Sequence, residues 1–328
     1  MNSERIINWG ILGCGKIAHY FATDLKHVPN ANLYAVASRS LEKAKAFGND
    51  YEVSTYYDTY EALSKDPNID VIYIATPHVF HYENAIMCLN NKKAVLCEKP
   101  FAMNALQVKK MISTAKESKV FLMEALWTYF LPHYRYVLDY IQSKELGDIK
   151  TLKADFGFRA PFDSHGRVFN KKLGGGSLLD IGIYPLFAAL SILGYPEEIL
   201  AQATIGKTGV DEDCAMQLHY KNGVSASLFS TVTEETATEA IIELEKGTIT
   251  INSQFHKPSS VTIVKEGKSK SECIEFGVTT NGYNFEAIHV QEMLLQNRTE
   301  STIMSFEKSL QLIELLDNVR NKIGLHYD

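Results

Sequence analysis

Apolar positions in the first third of the chain fall into short unbroken runs, separated by stretches with helical spacing. The runs Ile6–Leu12, Leu33–Ala37, Val71–Ala75, Ala94–Cys97 and Val120–Met123 predict strands. The stretches Lys16–Leu25, Leu41–Phe47, Phe80–Asn90 and Ala105–Ser118 predict helices. Strands that are apolar on both faces must be covered on both faces, and strands alternating with helices supply that cover. The expected architecture is α/β, a doubly wound parallel sheet. After Met123 the rhythm changes. A helical pattern at Leu131–Lys144 stops near Gly147, and Ile149–Phe158 then alternates as a half-buried strand does. Further strand patterns follow at Ile199–Ile205, Ala215–Tyr220, Ser225–Val232, Ala237–Leu244, Thr248–Ile251 and Ser260–Val264. Turn sequences such as Lys221-Asn222-Gly223 and Glu245-Lys246-Gly247 separate them. Helical patterns at Phe285–Gln296 and Phe306–Lys322 finish the chain. This second part reads as an α+β domain on a mostly antiparallel open sheet.

Composition narrows the class. A length of 328 residues suits two domains, and 45% hydrophobic with 22% charged residues suits packed cores. A formal charge of -6 argues against nucleic acid as a partner, and Lys109-Lys110 lies on a solvated helix face. No basic segment followed by an apolar run stands at the start, and no run approaches the roughly 20 apolar residues of a membrane span. Five cysteines without C-x-x-C spacing and histidines without H-E-x-x-H predict neither a disulfide framework nor a metal site. The expected setting is the cytoplasm, with no membrane partner.

The chemistry begins where the first strand ends. Gly13-Cys14-Gly15-Lys16-Ile17-Ala18 is a G-x-G-x-x-A run between strand and helix. Gly13 permits a tight turn, Gly15 lets a diphosphate approach the backbone, and Ala18 lets the helix pack on the strand. The helix N-terminus then offers free N–H groups to the phosphates. The run therefore predicts a dinucleotide site in residues 1–123, leaving 124–328 for substrate binding and oligomerisation. At the end of the second strand stand Ser38, Arg39 and Ser40, where an NAD site places a carboxylate for the ribose hydroxyls. A guanidinium suits a 2′-phosphate, so NADP is expected ahead of NAD.

A later strand ends in Cys97-Glu98-Lys99-Pro100, and strand ends are where an open parallel sheet holds its ligand. With VIYIATP at Val71–Pro77, His81, and GGGSLLDIGIYP at Gly174–Pro185, the chain resembles the Gfo/Idh/MocA oxidoreductases. ASRSLEKAKA, FLMEALW and ADFGF resemble, within that family, the dimeric dihydrodiol dehydrogenase and NADP-linked D-xylose dehydrogenase branch. The resemblance runs from Ile7 to about Gly194. It implies hydride transfer between a nicotinamide and the CH–OH/C=O group of a small sugar, polyol or trans-dihydrodiol.

The family pattern is a lysine in E-K-P and an Asp-x-x-x-His pair. Here Lys99 and Asp180 match, and Tyr184 stands in the histidine's place, as the branch implies for its acid/base. Asp180 and Tyr184, four apart, would share one helix face. A tyrosine near its reference pKa of about 10 is a poor base, and a nearby ammonium would favour the phenolate. Lys99 would also stabilise a developing alkoxide. Ala75, Thr76, Pro77, His81 and Glu98 are further cofactor candidates. Trp127, Phe156 and Phe158 are candidates for an apolar substrate pocket, with Arg159 a weaker one. A different reading is an NADP-sensing protein that kept the fold without turnover; the trio Lys99, Asp180 and Tyr184 argues against it. A homodimer through the free face of the second sheet is expected.

Overall fold

The computed structural model describes residues 5–268 and 270–327. They divide into two compact units, one running to residue 127 and taking in 279–310, the other spanning 128–278 and the described residues from 311 on.

The first unit is built on six parallel strands: β1 (Ile7–Leu12), β2 (Ala31–Ala37), β3 (Thr55–Tyr57), β4 (Val71–Ile74), β5 (Ala94–Glu98) and β6 (Leu122–Ala125). Their order is β3-β2-β1-β4-β5-β6, so the direction of winding reverses beside β1. In such sheets the ligand crevice lies outside the carboxyl ends of the strands at that reversal. The connecting helices are α1 (Lys16–Leu25), α2 (Leu41–Tyr51), α3 (Tyr60–Lys65), α4 (His81–Asn90) and α5 (Ala105–Ser118). All four residues of β4 are fully buried, as a strand covered on both faces must be.

The second unit opens with α6 (Pro132–Gln142), whose proline at the first turn lacks only an N–H that would be unpaired there anyway. Its eight strands are β7 (Ile149–Gly157), β8 (Glu198–Ile205), β9 (Asp211–His219), β10 (Ser225–Thr231), β11 (Ala240–Leu244), β12 (Gly247–Ile251), β13 (Val261–Lys265) and β14 (Glu272–Ile274). The order is β14-β13-β12-β11-β7-β10-β9-β8, with β7 and β10 parallel and every other pairing antiparallel. Between β7 and β8 runs α7 (Ile183–Leu193), apolar all round and buried from Ile183 to Leu190. The stretch Lys171–Leu193 is long and apolar enough to cross a membrane, with mean hydropathy 1.7, yet 83% of its apolar window is buried. That is the signature of a core helix. The opposite sheet face stays open. Lys153, Ser227, Gln217 and Leu200 lie side by side across four strands, and Leu200 is 50% exposed.

The chain closes with α8 (Tyr283–Leu295) and α9 (Phe306–Lys322). Here the structure departs from the expected division at residue 123. The first unit runs on to Trp127, and residues 279–310 return to it. The cause is a set of buried contacts. Asp24, 1% exposed on α1, accepts hydrogen bonds from the Asn281 backbone and amide (3.0 and 2.8 Å) and from Tyr283 N (2.8 Å). Trp127 stacks face to face on Tyr283 with ring centroids 4.2 Å apart. On α8, Glu286 is fully buried beside Asp24 and Glu98, and burial first, then these carboxylates, hold its carboxyl well above the usual range.

Candidate active site

β1 delivers the chain to Gly13, whose φ of +101° favours glycine. A Cβ there would meet the Ala75 carbonyl at 3.0 Å, so the turn is pressed against the β4 end. Gly15 caps α1 in an extended conformation, and a Cβ on it would meet nothing within 4 Å. No side chain caps α1 and no acidic residue occupies its first turn. The helix N-terminus is thus an exposed positive pole, with Lys16 on the surface and Ala18 buried against the sheet. A diphosphate fits this cradle.

From Gly13 and Gly15 a cleft of about 270 Å³ extends past Thr76 and Pro77 to Ser38, Arg39, Ser40, Lys43 and Tyr60. None of its lining residues is a carboxylate. Ser38 N is tied to the Tyr57 carbonyl (3.2 Å), and the Ser40 hydroxyl caps α2 by accepting from Lys43 N (3.3 Å). The Arg39 guanidinium partly offsets the rise that burial imposes on the Tyr60 phenol, and lies 5.8 Å from the Phe80 ring centre. Two cations and two hydroxyls at a strand end suit a phosphate better than a ribose diol. Sequence reasoning named Arg39 and overlooked Lys43 and Tyr60; Lys43 was legible one helical turn after Arg39.

The ends of β4 and β5 are stapled together by His81. One ring nitrogen lies 2.8 Å from the Thr76 carbonyl and the other 2.8 Å from the Pro100 carbonyl. Burial lowers its pKa, against the raising effect of the two carbonyls, each an acceptor for a ring N–H. Asn84 adds a bond to the Thr76 hydroxyl (3.1 Å). His81 is fully buried between the loops that follow these two strands. Glu98 turns inward, accepting from the Tyr73 hydroxyl and from Lys99 N (3.2 Å). Lys99 is half-buried and joined to Pro100 by a cis peptide bond. Trp127 and Ile17 also belong to this unit, Trp127 with its ring on Tyr283.

In the second unit, Asp180 lies in a π-helical turn (Leu178–Gly182) that runs directly into α7, where Tyr184 sits in the first turn. The sequence spacing predicted one regular helix; a widened turn of this kind recurs at functional sites. The Asp180 carboxylate accepts from Arg167 Nη1 at 2.6 Å, a partner that sequence reasoning missed. Upstream, Asp211 receives the Ser177 hydroxyl (2.8 Å) and Leu178 N (2.6 Å), fixing the start of this helical segment. Burial pushes the Asp211 carboxyl up to about 7. Around Tyr184, itself 6% exposed, are the rings of Phe156 at 5.6 Å and His256 at 5.1 Å. Phe156 and Phe158 both pack against a cluster of Phe169, Ile181 and Val232, while Arg159 is exposed. No group of three metal-ligating side chains occurs among the described residues.

A parallel sheet wound 3-2-1-4-5-6 with an open glycine cradle defines a nicotinamide-dinucleotide domain, here joined to an open-faced sheet unit. Residues 7–126 match the oxidoreductase family with an NAD-binding Rossmann fold, and residues 134–250 match the GFO/IDH/MocA C-terminal domain. The chain belongs to the Gfo/Idh/MocA oxidoreductases and is an NAD(P)-dependent dehydrogenase. It is 38% identical to the trans-1,2-dihydrobenzene-1,2-diol dehydrogenase of Xenopus tropicalis, across 97% of this chain and 98% of that one. The Xenopus laevis protein of the same name is 39% identical with the same coverage. Among solved structures, a 3-ketoreductase from Actinomadura kijaniata in complex with NADP and TDP-benzene superposes with a TM-score of 0.89 at 25% identity, covering 97% of this chain and 98% of that one. That ketoreductase has also been solved as lysine-to-alanine and tyrosine-to-phenylalanine variants.

Proposed function

We propose that this chain is an NADP-dependent dehydrogenase acting on the CH–OH/C=O carbon of a small sugar, polyol or trans-dihydrodiol. The observation that carries the coenzyme assignment is the carboxylate-free cleft holding Ser38, Arg39, Ser40 and Lys43. The substrate class rests on near full-length relatives that are dihydrodiol dehydrogenases. When bound, the nicotinamide supplies the hydride acceptor or donor; the residues supply the rest. Lys99 stabilises negative charge on the substrate oxygen, and Tyr184 takes its proton in oxidation and returns it in reduction. Asp180, held by Arg167, keeps the segment that presents Tyr184 in place. Phe156 contributes an apolar wall beside Tyr184. The reading includes a cytoplasmic enzyme, in keeping with five free cysteines. It also includes a homodimer through the open sheet face, where a depression of about 670 Å³ is lined by Leu200, Met216 and Phe229.

The test is steady-state kinetics with NADP and NAD across aldoses, polyols and trans-dihydrodiols, on wild type, Arg39→Ala and Tyr184→Phe. Arg39→Ala should raise KM for NADP at least about tenfold and leave KM for NAD nearly unchanged. Tyr184→Phe should lower kcat by about a hundredfold or more with coenzyme affinity intact. Equal effects of Arg39→Ala on both coenzymes, or near-normal turnover by Tyr184→Phe, would overturn the assignment. Light scattering at twice the chain mass would support the dimer.

A further inference from the structure

A tyrosine that exchanges a proton with substrate must also exchange it with water once per turnover. Tyr184 is 6% exposed, and a neighbouring titratable ring offers a route for that exchange. The His256 imidazole is in ring contact with it at 5.1 Å and is itself only half-buried. Its ring is also stacked on Phe156, with centroids 4.1 Å apart and planes 26° from parallel.

The loop that presents His256 is held from both sides. Thr128 donates its hydroxyl to the His256 carbonyl at 2.6 Å. His133 Nε2 lies 3.0 Å from the Phe255 carbonyl, and Phe255 N donates to the Thr238 carbonyl at 3.1 Å. Burial lowers the His133 pKa to about 4, so this prop is the neutral ring donating its proton. Just before this pair, Gln254 takes a φ of +63°, a left-handed conformation that a non-glycine residue adopts only where its surroundings enforce it. A histidine is the side chain whose ordinary pKa allows proton uptake and release near neutrality.

From this geometry we infer that His256 is the proton relay between Tyr184 and solvent. The inference rests on Tyr184 being the acid/base. In the oxidative direction the substrate hydroxyl proton moves to the Tyr184 phenolate oxygen as the carbon-bound hydrogen leaves as hydride. The phenol then gives that proton to one imidazole nitrogen, and the imidazolium loses one proton to water. One proton is released per substrate oxidised, and both side chains return to their starting states. Reduction runs the same steps backwards.

The experiment uses His256→Phe, which keeps an aromatic ring against Phe156 and Tyr184 and removes the nitrogens. Turnover with saturating NADP is measured with increasing imidazole buffer, beside Tyr184→Phe under the same conditions. Expected is a fall in kcat of about tenfold or more, KM for NADP unchanged, and kcat restored in proportion to added imidazole. Tyr184→Phe should not respond to imidazole. If His256→Phe does not fold, His256→Gln serves, being polar but unable to carry a proton. Wild-type turnover in a folded His256 variant, or a loss that imidazole does not repair, would overturn the relay. Near-normal turnover by Tyr184→Phe would instead remove the acid/base reading beneath it.

Discussion

Two glycine-rich segments in this molecule lead into helices, and they do opposite things. Over Gly15, at the start of α1, a Cβ would meet nothing, and no acidic side chain occupies the helix end. Over Gly175 and Gly176, ahead of the segment carrying Asp180 and Tyr184, every direction is filled. A Cβ on Gly175 would come within 2.6 Å of the Val168 carbonyl, and one on Gly176 within 2.1 Å of Asp211 Oδ1. Asp211 also takes the N–H of Leu178 and so supplies an acceptor at that helix start. One helix start is left open, and the other is capped by the chain itself. Glycine spacing alone does not distinguish the two; what stands over the glycine does.

The distinction can be broken most severely at Gly176. With φ at +121° and Asp211 in the way, Gly176→Ala should cost about 3 kcal/mol or more, read from denaturant midpoints. An unchanged midpoint would mean the second glycine run is as open as the first. Gly15→Val should be the mirror case. Its stability should stay within about 0.5 kcal/mol of wild type, while the coenzyme Kd rises about 10- to 100-fold by fluorescence titration. Wild-type affinity in that variant would mean the diphosphate sits elsewhere.

The smallest effect concerns the Asp211 carboxyl. The Asp211 carboxyl is raised from 3.8 to about 7 in the folded chain. Between those values the folded state keeps a proton that the unfolded chain has lost. The associated stabilisation is complete below pH 3.8 and is lost as pH rises through about 7. Melting temperature should therefore decline over that window, and Asp211→Asn should flatten the decline by about a few degrees. Glu124, which burial also lifts to about 7, accounts for part of the slope that remains. An identical pH profile in Asp211→Asn would show that this carboxyl does not titrate there.

The features legible in the sequence were local. β1, the glycine turn and α1 follow one another within twenty residues, and each carries its own signal of apolar run, turn and helical spacing. The same holds for Lys99 at the β5 end and for Tyr184. β3, three residues long, was too short to show a period. The return of residues 279–310 to the first unit was invisible because it depends on Asp24 meeting Asn281 and Tyr283, over 250 positions away. Arg167, Asp211 and His256 were missed for a related reason. Each is an unremarked polar residue in a loop or strand until folding sets it against Asp180, Ser177 or Tyr184.

That late return of α8 sets an order of events during synthesis. Asp24 and Trp127 leave the ribosome well before Asn281 and Tyr283, the groups that satisfy them. N-terminal units generally fold first as a chain emerges. Here the nascent coenzyme half stays incomplete until residues 279–310 have been translated.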